Sequence, residues 1–174
     1  MSNIKKMVIT ALLIALGIVL PVTLHAFPNA GSVLLPMHIP VLLCGIICGF
    51  PYGLACGVLT PLLSHVSSGM PPIAFLPAMV CELAVYGLVS GLIVQFVRMK
   101  NTYAKIYLSL IGAMLTGRVV FGVLNTLVFS VGTYSMPIWL TAAFVTALPG
   151  VAIQLVLIPV IVIALGKARL ISIQ

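Results

Sequence analysis

Residues 34–72 read LLPMHIPVLLCGIICGFPYGLACGVLTPLLSHVSSGMPP, and no Asp, Glu, Lys or Arg interrupts them. Two apolar runs, 37–49 and 51–66, meet at the tight turn GFPYG, residues 49–53. A soluble helix or strand alternates apolar with polar positions, because one of its faces meets water; these runs offer no such face. At roughly 1.5 Å per residue neither crosses a hydrocarbon core of about 30 Å comfortably. They are expected to be short, tilted or kinked helices, which membranes tolerate only where protein or a cavity covers the backbone.

The rest of the chain has the same character. Of its 174 residues 63% are hydrophobic and 5% charged, against about 25% charged in a soluble domain. That composition allows about six spans of roughly 20 residues and short connections. Residues 4–20 form the expected first span, since the apolar run continues past any cleavage site a signal peptide would need. Pro21, which cannot donate the helical hydrogen bond, is expected to stop it. A loop, PVTLHAFPNAGSVLLP at 21–36, follows with turn and extended-chain residues. Beyond SSGMPP at 67–72, further spans are expected over 73–97, 107–129 and 138–165, the last after the connection VGTYSMP at 131–137.

The fold class expected is therefore all-α: one unrepeated transmembrane bundle over residues 1–174 with six helices. Lys5 and Lys6 flank the chain start; Arg98, Lys100 and Lys105 the fourth connection; Lys167 and Arg169 the chain end. Six alternating spans place all three clusters on one side, which the positive-inside rule makes cytoplasmic. The net charge of +7 is thus a sign of membrane orientation and not of a nucleic-acid partner. A multi-pass protein of a prokaryotic plasma membrane is expected, with both termini inside. Loop 21–36 and the two later short connections then lie outside.

An ionisable side chain at membrane depth is a functional hypothesis by default, because its burial costs about 2.5–3.5 kcal/mol on insertion scales. Glu82, in the fourth segment, and Arg118, in the fifth, come to similar depth because their helices run in opposite directions. One reading is a structural ion pair closing the bundle. The other is that Arg118 offers its planar fork to a substrate carboxylate, with Glu82 holding it; the two are compatible. Tyr86, Asn125, Trp139, Thr141 and Gln154 are polar or amphipathic neighbours that either line an external cavity or bond between helices.

His25, His38 and His65 lie towards the external side without the i, i+4 spacing of a zinc motif, so no metal is expected, and His38 is assigned to ligand or loop backbone. The four cysteines, Cys44, Cys48, Cys56 and Cys81, are expected to be reduced core residues. With one carboxylate in the chain there is no acid/base pair, and no nucleophile elbow or phosphate loop is present. Catalysis and ATP hydrolysis are not expected here. No cofactor is expected either; any ATP would be used by partner subunits. Ala11 and Ala15 put two small residues on one face of the first helix, where another helix can approach closely.

Six helices, basic residues inside, the Ala11 and Ala15 pair, the long first external loop and the stretch 34–72 together resemble the S components of energy-coupling factor (ECF) vitamin transporters, over essentially the whole chain. The resemblance implies a substrate-binding subunit that captures a vitamin from outside and topples in the membrane to release it. It implies partners too: a transmembrane T component, on whose coupling helices Ala11 and Ala15 would pack, and two ABC-type ATPases. Residues 37–72, with AMVCELAVYGLVSGLI at 78–93, look most like the branch that includes pantothenate-specific members. On that reading the substrate-binding residues are Arg118, Asn125, Glu82, Tyr86, His38, Trp139 and Gln154. Other vitamins (folate, pyridoxine, cobalamin) and a self-sufficient secondary transporter using Glu82 are the alternatives.

Overall fold

The computed structural model describes residues 1–24, 33–129, 136–168 and 170–171. His25, Arg169 and most of the 131–137 connection lie outside the described residues. Helix α1 covers Asn3–Leu24, α2 His38–Cys48, α3 Phe50–Ser68, α4 Leu76–Phe96 and α5 Thr102–Leu124, which continues as a π-helical turn, Asn125–Phe129. A short α6, Met136–Leu140, runs into a second π-helical turn, Thr141–Thr146, and α7 covers Leu148–Lys167. Among the described residues there is no strand. Four helical segments among the described residues are long and apolar enough to cross a membrane: Asn3–Leu24, Leu76–Phe96, Thr102–Leu127 and Leu148–Lys167.

Helix α2 lies in the middle of the bundle, with every residue except Ile39 buried. Its 11 residues span only about 16 Å at the α-helical rise. So short a piece survives at depth because other helices cover its ends. The α2–α3 joint depends on Gly49, whose φ of 96° and ψ of 172° suit a residue without Cβ. Its N–H donates to the Gly45 carbonyl and its own carbonyl accepts from Gly53 N–H, both at 3.0 Å. Pro51, at the first turn of α3, loses no bond there.

Glycines set how closely the helices pack. A Cβ on Gly53 would strike the Gly87 carbonyl, and one on Gly87 would strike Gly53; Gly57 meets the Leu83 carbonyl in the same way. The α3 and α4 backbones therefore touch, a spacing only small residues permit. Ser109 on α5 donates to the Ser90 carbonyl of α4 at 2.9 Å, which fixes the next helix in the row.

Helix α1 stands at the edge. Only Thr10 and Gly17 are buried, where α1 meets α2 and α3; Met7, Val8, Leu12, Leu16 and Val19 face outward. So large an apolar face would be an aggregation hazard in water and is ordinary against lipid. Lys5 Nζ donates to the Leu170 carbonyl at 2.6 Å, so the chain start and the end of α7 adjoin.

Three helix ends differ from the sequence reading. Pro21 does not stop α1, which runs on to Leu24; in the last turn the missing N–H costs one bond and the chain needs no further helix beyond it. Helix α5 starts at Thr102 and not at 107, because Asn101 Oδ1 accepts the N–H groups of Tyr103 and Ala104, at 3.0 and 3.3 Å, and caps it. Lys105 consequently lies within the helix. The segment expected as one helix over 138–165 is divided, since Pro149 sits at the first turn of α7 and opens a new helix after Ala147.

Candidate functional site

Four buried side chains from three helices meet around one oxygen. Glu82 Oε1, on α4, lies 3.2 Å from Arg118 Nη1 on α5. It accepts the Tyr86 hydroxyl at 3.2 Å from one turn along its own helix, and it lies 3.8 Å from His38 Nε2 at the start of α2, longer than a hydrogen bond. His38 and Tyr86 stack edge to face, with centroids 5.1 Å apart. Glu82 is 3% exposed and Arg118 8%, so the pair is shielded from water and its attraction is little screened. The helix directions inferred from the sequence put Glu82 and Arg118 at similar depth, and the two side chains meet.

Among the described residues, Arg118 Nε and Nη2 and both His38 ring nitrogens have no hydrogen-bond partner. Glu82 is on Nη1, so the Nε and Nη2 edge, the side on which guanidinium takes a carboxylate with two parallel bonds, makes no hydrogen bond to the described residues. A buried donor left unpaired costs about 1–3 kcal/mol, more when charged; such a group is maintained where something else satisfies it.

Around this cluster the other sequence candidates divide. Trp139 Nε1 donates to the Arg118 carbonyl at 3.1 Å and its indole lies where a Cβ on Gly122 would be, so Trp139 fixes the backbone that carries Arg118. Asn125 is 2% exposed, seven residues and hence about two turns beyond Arg118 on one helix face, with its Nδ2 donating to the Phe121 carbonyl at 2.9 Å. Gln154 on α7 reaches the Leu35 carbonyl at 3.5 Å; Leu35, with φ of 50°, is in a left-handed conformation rare for a non-glycine residue, and its carbonyl also accepts His38 N–H at 3.1 Å. Thr141 is not brought in: it is exposed and bonds the Pro137 carbonyl at 2.8 Å. His65 is likewise elsewhere, its Nδ1 2.8 Å from the Pro71 carbonyl.

Gly117 was missed by the sequence reading. A Cβ there would overlap the Tyr86 ring, so this glycine lets Tyr86 lie against α5 beside Arg118. A glycine next to the one arginine of an apolar helix was the available signal. Among the described residues no group of three His, Cys, Asp or Glu could hold a metal ion. Cys44, Cys48 and Cys56 are buried and free, and Cys81 is half-buried and free. A groove of about 540 Å³ on the outer face of α7, lined by Ala152, Ile153, Val156, Leu157 and Val160, offers apolar side chains only, and it suits an acyl tail better than a polar solute.

A family model described as the substrate-specific component of ECF transporters matches residues 5–163. The chain belongs to this family. Searches of curated proteins and of solved structures give no significant match. As an ECF S component the protein is a substrate-binding transport subunit and not an enzyme, and components of this kind work with a T component and ATPases. Membership and the long apolar helices together make it a multi-pass membrane protein. Ala11 and Ala15 lie on the outward face of α1, beside the exposed Leu12 and Leu16.

Proposed function

We propose that this S component captures a small carboxylate-bearing vitamin from outside the cell, pantothenate being the best reading, and delivers it inward with a T component and two ATPases. The observation that carries the carboxylate is the buried Arg118, whose Nε and Nη2 edge is free of protein partners among the described residues while Glu82 steadies the opposite corner. Pantothenate has one carboxylate, two hydroxyls and an amide. The first suits the Arg118 edge, and the others suit His38, Tyr86, Asn125 and Gln154 as neutral donors and acceptors. Trp139 takes part by holding the Arg118 backbone. Folate, a larger dicarboxylate, would leave one acid unmatched by a second buried arginine among the described residues.

Six spans with both termini cytoplasmic is the topology we assign. The Lys5 to Leu170 bond supports an even number of crossings, since it holds the two ends of the chain at one end of the bundle. Ala11 and Ala15 are assigned to the T-component interface.

Calorimetric titration of a vitamin panel into the detergent-purified chain, stripped of co-purified ligand, tests the cargo. One tight, stoichiometric carboxylate ligand is the expected result. A folded protein that binds none of the panel, or binds a neutral vitamin in preference to every carboxylate, would sink the assignment.

A further inference from the structure

The charge count of the buried cluster leads beyond the identity of the ligand, and rests on the reading of Arg118 as a carboxylate site. Arg118 contributes one positive charge and Glu82, the only acid in the chain, one negative. With these matched, a neutral His38 leaves the cluster without net charge. A carboxylate arriving at the Nε and Nη2 edge adds a second negative charge close to Glu82, in a place where water does not reach either. Two anions and one cation cannot be held there cheaply, because like charges at short range disfavour one another and burial removes the solvent that would screen them.

We infer that carboxylate binding at Arg118 is coupled to uptake of one proton by His38, which supplies the second positive charge. The imidazole is already placed for it: Nε2 lies 3.8 Å from Glu82 Oε1, so a small closing movement makes a charge-assisted bond, and neither ring nitrogen has a competing partner among the described residues. The proton comes from solvent, and the liganded cluster then holds two cations, Arg118 and His38, against two anions, Glu82 and the ligand. Of the groups facing His38, Glu82 favours the imidazolium and Arg118 opposes it until a carboxylate offsets the Arg118 charge. From α4 the facing groups are Glu82 and Tyr86, and from α5 Arg118. Gln154 of α7 is uncharged and bonds the Leu35 carbonyl, His65 of α3 turns to Pro71, and α1 approaches α2 through Thr10 at Cys44. Tyr86 is already a donor to Glu82; His38 is the group able to add charge.

Proton linkage gives the test. Pantothenate is titrated into the purified full chain at pH 8 in buffers of different ionisation enthalpy, and the slope of observed heat against buffer enthalpy gives protons taken up per ligand. Close to one is expected, with Kd weakening about tenfold per pH unit above neutrality. The alcohol analogue panthenol, which lacks the carboxylate, should bind with no uptake. In His38→Gln, uptake and pH slope should vanish, and ¹⁵N signals of labelled histidine in the unaltered protein should show one imidazole becoming imidazolium on binding, absent with panthenol. Binding of pantothenate without proton uptake overturns the coupling and leaves the carboxylate site standing; uptake that persists in His38→Gln overturns the assignment to His38. Failure of any carboxylate to bind overturns the site reading and the coupling with it.

Discussion

Glu82 and Arg118 are joined through a single corner, Oε1 to Nη1 at 3.2 Å, and not through the two-bond fork that a purely structural pair would favour. Half of the guanidinium is thereby committed to the bundle and half is not. This division makes the structural and the ligand-binding reading of the pair two parts of one arrangement. It also separates them experimentally.

Glu82→Gln removes the buried counter-charge while keeping the shape. A lone buried cation typically costs about 3–5 kcal/mol, and a loss of that order is expected in unfolding followed in detergent. Replacing Arg118 by Met in the same chain should recover most of it, since an apolar pair is often no worse than a buried ion pair. If the two losses simply add, the side chains are not coupled as their distance implies.

On the proposed carboxylate site, affinity should respond differently to the same residues. Arg118→Lys retains the charge but not the planar edge, so it is expected to fold and to bind pantothenate at least tenfold more weakly, because a point charge cannot make two parallel bonds. Calorimetry on the folded variant decides. Undiminished affinity would remove Arg118 from the ligand.

Two substitutions of the same kind, one at the α3–α4 seam and one on α5, are expected to differ. Gly87→Ala would push a Cβ into the Gly53 carbonyl, and a backbone cannot rotate away, so a cost at or above the usual 1–3 kcal/mol of overpacking is expected. Gly112→Ala meets only the Ile93 Cδ1 methyl, at 2.7 Å, the far end of a flexible side chain. There the gain in helix propensity, about 1 kcal/mol, should largely offset the adjustment. Similar melting temperatures for the two variants would show that the seam is looser than its geometry.

Much of this was legible in the residues because a membrane makes polarity informative. Glu82 and Arg118 are rare at depth, so their encounter followed from helix direction alone. The GFPYG joint was legible since only glycine and proline make such a turn. Helix ends were less so: Pro21 looked like a stop but falls where a stop costs little, Asn101 caps α5 through a local bond that composition does not show, and Pro149 starts a helix instead of interrupting one. Which faces turn inward was not legible at all. With apolar side chains on every face, periodicity distinguishes nothing, so the contact of Tyr86 with Gly117, and the approach of His38 to Glu82, needed coordinates.

The outward face of α1 allows a last prediction. Ala11 and Ala15 lie four residues apart, both exposed, one turn from each other on a helix that buries only Thr10 and Gly17 against the rest of the bundle. A ring at either position would therefore project away from the described part of the bundle, and folding and ligand affinity should be unchanged within about 0.5 kcal/mol, as for a substitution remote from buried features. A partner helix is affected far more, because close approach depends on small side chains at the crossing. Ala11→Trp and Ala15→Trp should each abolish co-purification with the T component while leaving vitamin binding by the isolated chain intact. Retained assembly would place the coupling surface on another helix; lost binding together with lost assembly would mean that α1 supports the site itself.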